Sequence, residues 1–335
     1  MENDKKYDVV GMSNPLLDLI IAISDEDLAQ TGLTKGEMHL VNEHESRDLY
    51  LSLREYPTTI AAGGSAANTL AGVSILGGRT ALMGTIGEDE NGKVYEERTT
   101  RDGVTSRLAT HGQAATGNAI TLITPDGERT FATHLGAALQ FGEEQVREED
   151  ILASAILHIE GYYLEDAKQK GAALHAMKIA KANGIKVSVD LADPALVGRI
   201  REALQELLPE YVDIIFANEL EAEAFTGKSG EEALHDLATM CEVAVVKLGE
   251  RGSLIKAEGT VHTIAKHPAD MKNTNGAGDM YAAGILYGLT HGLSYEQAGD
   301  LASFAAACVV ASEGARLDDD LKETLKEYSM KHINA

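Results

Sequence analysis

Asp279 closes the run Asn273-Thr274-Asn275-Gly276-Ala277-Gly278-Asp279, and the apolar stretch Met280 to Leu289 follows without a break. The small residues leave almost no side chain where a helix begins. The first N–H groups of a helix have no intrahelical partners and carry the positive end of its dipole, so they can hold an anion. Glycine lets a phosphate approach that backbone closely. A carboxylate in the same turn is useful there as a proton acceptor or a metal ligand. The run therefore reads either as a site where an alcohol is deprotonated beside a phosphoryl group, or as a Gly-rich turn entering a core helix. A second Gly-rich helix entry, Ala62-Gly63-Gly64-Ser65-Ala66-Ala67-Asn68, puts Ser65 and Asn68 three apart, so that both can face one ligand or cap a turn. In Ser13-Asn14-Pro15-Leu16-Leu17-Asp18, two polar residues follow the first strand, and Asp18 sits in an apolar run where an unpaired carboxylate is costly. A hydroxyl-rich ligand would partner it; so would a helix cap or a salt bridge.

The elements that must position these residues alternate. Strands are expected at Tyr7 to Met12, Thr80 to Ile86, Ala155 to Ile159, Lys186 to Asp190, Asp213 to Ala217 and Val243 to Lys247. Helical patterns fall at Ala66 to Leu76, Lys168 to Asn183, Ala195 to Leu208 and Glu231 to Met240, and the last third reads as almost all helix, from Ala277 onward. Short apolar strands separated by helices predict an α/β fold with a mainly parallel sheet covered on both faces. Ligands of such sheets collect outside the carboxyl ends of the strands. Two regions, 16–40 and 114–135, break the rhythm. In the second, Asn118 to Ile123 and Arg129 to Thr133 flank the turn Pro125-Asp126-Gly127 and predict a hairpin. These segments form either a small secondary sheet, which over an active site would be a lid, or an edge extension of the main one. No repeat or linker divides the chain, so residues 1–335 are expected to form one domain.

Composition excludes several classes. Fifty-three acidic against 29 basic residues give a net charge of −24, which argues against nucleic acid or an anionic membrane as partner. No apolar run approaches the ~20 residues of a membrane span. The N-terminus leads straight into the first strand, leaving no room for a signal peptide, and the two cysteines suggest no disulfide framework. A reduced cytoplasmic setting is the expectation. Thr226-Gly227-Lys228-Ser229 lacks the earlier glycine of a P-loop, and Gly249 to Ser253 lacks the first glycine of a dinucleotide fingerprint, which disfavours a dehydrogenase.

Taken together, the segments resemble the ribokinase, or phosphofructokinase-B, family of carbohydrate and nucleoside kinases, over nearly the whole chain. Gly63-Gly64-Ser65-Ala66-Ala67-Asn68 with Gly84 to Asp89 is similar to its N-terminal signature, and Asn273 to Asp279 to its C-terminal one. Asn218-Glu219-Leu220-Glu221 matches its Asn-x-x-Glu element, and Val246 to Gly252 its ATP-side strand and turn. Asn14 to Asp18 and Tyr211 to Glu219 look most like the adenosine-kinase branch.

The resemblance implies a three-layer ribokinase-like fold with a small β lid (16–40 and 114–135), and transfer of the γ-phosphoryl group of ATP to the 5′-hydroxyl of a purine nucleoside. By the same resemblance Asp279 is the base, with Gly276, Ala277 and Gly278 as the anion-binding turn and Arg129 as a lid arginine reaching the transferred phosphate. Asn14, Asp18, Gly63, Gly64, Ser65 and Asn68 would hold the acceptor, with Leu16 and Tyr163 flanking its base. Asn218, Lys247, Gly249, Gly252, Thr274 and Asn275 would bind ATP, and Glu221 would act on Mg²⁺ through water. Asn273 stands where the family's usual first acid stands; it keeps capping ability but loses the charge on which a K⁺ contact would depend. The partner is a small nucleoside or sugar, and the chain is a monomer or homodimer. A sugar kinase of the same family and a non-catalytic nucleotide or sugar sensor are the rival readings.

Overall fold

Runs such as Val243-Ala244-Val245-Val246 carry no alternating polar residue, so they suit strands buried on both faces. The computed structural model describes residues 5–272, 274–312, 314–317 and 319–333. Among them, strands β1 (Tyr7–Met12), β2 (Leu16–Ala22), β3 (Met38–Leu40), β4 (Thr58–Ala62), β5 (Thr80–Gly87), β6 (Thr105–His111), β7 (Thr116–Ile123) and β8 (Arg129–Gly136) precede β9 (Ser154–Glu160), β10 (Lys186–Asp190), β11 (Ile214–Asn218), β12 (Val243–Lys247), β13 (Ser253–Ala257) and β14 (Thr260–Ile264).

The larger sheet has the order β14-β13-β12-β11-β10-β9-β1-β5-β6. From β12 to β6 every pairing is parallel, and β13 and β14 add an antiparallel edge. Alternation divides each strand between two cores. Val10 and Met12 face the helices Ala167–Ala182 and Pro194–Tyr211, while Val9 faces the helices Ser65–Ile75, Ala277–Thr290 and Tyr295–Val310. The result is a three-layer α/β fold with a mostly parallel central sheet, as the alternating pattern predicts. Strand order reverses at β1, which has β9 on one side and β5 on the other; crevices at such switch points are where ligands of open parallel sheets bind.

The second sheet is separate from the first, in the order β3-β8-β7-β2-β4, so the edge-extension alternative fails. β7 and β8 pair as the expected antiparallel hairpin. Thr58–Ala62 is an unforeseen member, paired antiparallel to β2; five residues ending against two glycines give little strand signal. β6, β13 and β14 are likewise absent from the strands that the sequence predicts, while the helical tail begins at Ala277 as expected. One face of the second sheet packs Leu19, Ile21, Ile120 and Leu122 onto Leu28 and Leu53. The opposite face, through Leu16, Asp18, Phe131, Thr133 and Leu135, looks into a cleft above the central sheet. Among the described residues no helix is long and apolar enough to cross a membrane, and Cys241 and Cys308 are free thiols.

Candidate active site

Each parallel strand on the β9 side of the switch point ends in a polar residue at the cleft: Glu160 on β9, Asp190 on β10, Asn218 on β11 and Lys247 on β12. Asn14 follows β1 at the same rim. The cleft has a volume of ≈ 1230 Å³, above the roughly 300–1,000 Å³ of a single small-molecule pocket, and so has room for two ligands end to end.

Both Gly-rich helix entries open into it. Gly276 caps the helix Ala277–Thr290 at φ 77°, a left-handed conformation costly for other residues, and a Cβ there would collide with the Ala315 carbonyl oxygen. A Cβ on Gly278 would lie 3.0 Å from Lys247 Nζ. The bare first turn and a buried ammonium thus face the same small space, which fits an anionic phosphoryl group. Thr274, Asn275 and Ala277 line this end, together with Gly249 and Gly252 of the turn after β12. Lys247 Nζ donates to Asp190 Oδ2 at 2.8 Å. Burial pushes the ammonium down, but Asp190 and Glu221 outweigh it and hold it above the usual lysine range.

Asp279 lies in the first turn of its helix. Its Oδ1 accepts from Ser65 Oγ at 2.7 Å and its Oδ2 from Asn68 Nδ2 at 3.0 Å. Ser65 and Asn68 therefore grip the candidate base as well as lining the cleft. Burial pushes the carboxyl up to about 6, with Asp190 adding to it and Asn68, Ser65 and Lys247 opposing. At neutral pH the group is ionised yet close enough to its midpoint to take up a proton.

Asp18 sits on the cleft face of β2 beside Leu16. A Cβ on Gly63 would lie 2.7 Å from Asp18 Oδ2, so glycine is needed there for the carboxylate to fit. Gly64, at φ 96°, leaves no room against the Asn14 carbonyl oxygen, 2.5 Å from where its Cβ would be. Burial raises Asp18 to about 7; Arg316 and Arg129 pull it down and Asp279 pushes it further up. Arg129 is on the same face of β8 as Phe131, Thr133 and Leu135, is not itself part of the cleft lining, and interacts with Asp18 through charge alone.

Several expectations change on contact with the geometry. Tyr163, expected against a base, is fully buried: its hydroxyl donates to the Ser13 carbonyl at 2.9 Å and its ring meets Phe141 edge-on. Its neighbour Tyr162 lines the cleft instead, because the 3₁₀ turn Gly161–Leu164 sends adjacent side chains in different directions. The Asn218-x-x-Glu221 element is a capping box. Glu221 takes the Asn218 N–H at 2.7 Å and the Asn218 amide at 2.5 Å, while its own N–H donates to Asn218. Glu221 is raised to about 7, by burial first, with Lys247 opposing. Asn273 lies outside the described residues.

Glu160, Asp190 and Arg316 went unread in the sequence. Glu160 takes Ser13 Oγ at 2.5 Å, the Asn14 N–H at 2.9 Å and the Ala66 N–H at 2.9 Å, tying the end of β1 to the helix Ser65–Ile75. Burial raises it to about 7 against those three bonds. The signal that could have found Glu160 and Asp190 is an acid closing an apolar strand, in Ile156-Leu157-His158-Ile159-Glu160 and Val187-Ser188-Val189-Asp190.

Among the described residues no group of three His, Cys, Asp or Glu is placed to hold a metal. A divalent ion would fit here as Mg²⁺ commonly does, carried on a polyphosphate with most of its waters, near Asp190, Asn218 and Glu221.

The model of the pfkB family of carbohydrate kinases matches residues 33–321. Adenosine kinase from Sinorhizobium meliloti superposes with a TM-score of 0.89 at 34% identity, over 96% of this chain and 99% of its own. Adenosine kinase of Saccharomyces cerevisiae is 29% identical over 91% of this chain and 95% of its own length. Ribokinase of Haemophilus influenzae is 27% identical over 80% and 87%. Kinases of this family use ATP, typically with Mg²⁺, and transfer its phosphoryl group to a hydroxyl. The match covers most of the chain and both Gly-rich entries to the cleft, and the chain belongs to the pfkB family of carbohydrate kinases, phosphotransferases with an alcohol group as acceptor.

Proposed function

We propose that the acceptor is a purine ribonucleoside, adenosine first, phosphorylated at its 5′-hydroxyl. The observation that carries this reading is the apolar wall beside Asp18. Leu16, Phe131 and Leu135, with Met38 and Leu40 from β3, present a broad apolar surface to the cleft. A flat base gains from such a wall while its ribose hydroxyls reach a carboxylate; a bare sugar leaves the wall unused.

In this reading Asp18 accepts bonds from the ribose hydroxyls, and Asn14, Gly64 and Asn68 fix the sugar's position. Asp279 accepts the 5′-hydroxyl proton as the new O–P bond forms. The N–H groups of 276–278 and the Lys247 ammonium face the transferred phosphoryl group, and Arg129 adds positive charge from the second sheet. Mg·ATP supplies the phosphoryl group and neutralises part of its charge. The second sheet acts as a lid, excluding water from the transfer, and the whole chain works as one kinase domain.

The test is ADP release with Mg·ATP and adenosine, inosine, guanosine, ribose and fructose, with and without potassium. Turnover with adenosine at least tenfold above the sugars in kcat/KM is expected. Turnover confined to a sugar overturns the nucleoside assignment and keeps the phosphotransferase; ATP binding with no ADP release on any acceptor favours the sensor.

A further inference from the structure

The short segment 314–317 lies between the helices Tyr295–Val310 and Asp319–Ile333 and touches the site twice. The Ala315 carbonyl packs against Gly276 so closely that no side chain fits there. Arg316 Nη1 donates to Asp102 Oδ2 at 2.7 Å, and its Nε donates to Asn68 Oδ1 at 3.1 Å. Only 10% of the Arg316 side chain is exposed, and its Nη2 is buried without a hydrogen-bond partner among the described residues. Asp102 also accepts from Lys322 Nζ at 3.2 Å. Asn68 in turn donates to Asp279.

An amide can present either its oxygen or its NH₂ to a neighbour. With its oxygen taken by a guanidinium, Asn68 must turn its NH₂ toward Asp279. The reversed amide would set an oxygen against the carboxylate. One rigid guanidinium plane meets Asp102 and Asn68 together, a geometry that a lysine's single nitrogen reproduces poorly.

We propose that Arg316 is a positioning residue for phosphoryl transfer: anchored on Asp102, it fixes the Asn68 amide so that Asn68 donates to Asp279, and it brings a fixed positive charge to the acceptor end, where Asp18 lies. This rests on the reading of Asp279 as proton acceptor and Asp18 as acceptor ligand. The ionisable groups facing Asp18 are Arg316, Arg129, Asp279 and Tyr95; those around Arg316 are Asp102, Asp18 and Tyr95, with Lys322 across Asp102; Asp190, Lys247, Glu160, Asp18 and Tyr162 face Asp279. Burial pushes Asp18 up and the Arg316 charge is the largest force opposing it, so the same side chain tunes one carboxylate by charge and the other through an amide.

The test reads the two carboxylates without any acceptor, by ¹³C-carboxyl NMR titration of the free enzyme, beside kcat and kcat/KM against pH. Arg316→Gln should move the Asp18 midpoint up by about one pH unit or more, with the acid limb of kcat/KM following it, and lower kcat about tenfold. Arg316→Lys should restore the limb and leave kcat low. Unchanged midpoints and kcat in Arg316→Gln, or full recovery of kcat in Arg316→Lys, overturn the proposal. Should Arg316→Gln fail to fold, Asp102→Asn releases the anchor while keeping the charge; it should lower kcat without shifting the limb, and an unchanged kcat is again a refutation. If the midpoints shift as stated while adenosine is not turned over, the charge role of Arg316 stands, the fault lies in the acceptor assignment, and the kcat comparison is made with whichever acceptor is turned over.

Discussion

Replacing Asp18 by Asn should make the protein more stable at pH 8 and worse at holding its acceptor. In the folded chain burial raises Asp18 from 3.8 to about 7. The folded form therefore keeps a proton there that the unfolded form has lost. The stability this contributes is full below the unfolded value and disappears as pH rises through about 7. The displacement from 3.8 to about 7 corresponds to roughly 4 kcal/mol against the ionised form at pH 8. Asp18 opens onto the cleft, and solvent there lowers this to about 2 kcal/mol. An asparagine has no charge to bury at either pH. The variant should match the wild type near pH 4 and exceed it by about 2 kcal/mol at pH 8. With about 2.1 cal/mol/K of unfolding entropy per residue over 335 residues, that is about 3 °C in Tm. The same change removes hydrogen bonds to a charged acceptor, about 1.5–3 kcal/mol, so the acceptor KM should rise roughly 10- to 100-fold. Thermal unfolding from pH 4 to 8 and steady-state kinetics on both proteins measure the two effects. A variant less stable than wild type at pH 8, or a stability difference that does not change with pH, refutes the picture of Asp18 as an ionised group held against its burial.

Asp279→Asn should lower kcat by about 10²- to 10⁴-fold, with acceptor KM within a few-fold of wild type; near-normal turnover removes Asp279 from the role of base. Gly63→Ala places a Cβ 2.7 Å from Asp18 Oδ2, so the acceptor KM should rise while the KM for ATP holds, and a change confined to ATP contradicts the assignment. Breaking the Lys247–Asp190 pair with Lys247→Met leaves the buried Asp190 carboxylate unpaired and should destabilise the fold by up to about 3–5 kcal/mol, and Asp190→Asn on top should recover part of it, as read by denaturant unfolding; additive losses show that the two act independently. Lowering pH through about 6 protonates Asp279 in the free enzyme, so kcat/KM should fall on the acid side, and a flat profile from pH 8 to 5 contradicts ionised Asp279 as the working form.

The parallel strands β1, β5 and β9 to β12 were legible in the chain because they are buried on both faces and read as short apolar runs, whereas β6, only partly buried, and the antiparallel edge of β13 and β14 were not. β4 was not, since Thr58–Ala62 is only partly buried and stops at two glycines. The site was legible where the backbone itself must bend: Gly64 and Gly276 have positive φ and leave no room for a side chain, while a Cβ on Gly63 or Gly278 would crowd Asp18 or Lys247. Glu160 and Asp190 escaped because a strand-ending acid looks like the start of a polar loop, and only the parallel stacking of strand ends shows that these point into one cleft. Arg316 belongs to no motif; the fold brings it to Asn68 from 248 residues away. Tyr163 shows the reverse limit, since two adjacent tyrosines cannot be told apart until the turn that carries them is known. The Asn218–Glu221 spacing is satisfied by helix capping alone, so spacing could not decide its role.

The most direct test of phosphoryl transfer to a nucleoside hydroxyl is ³¹P NMR of the purified protein with Mg·ATP and adenosine. A new phosphomonoester resonance coupled to the 5′ methylene protons, growing in step with ADP and abolished in Asp279→Asn, is the predicted result. Release of inorganic phosphate alone, or an ester formed at the same rate by Asp279→Asn, would contradict the account.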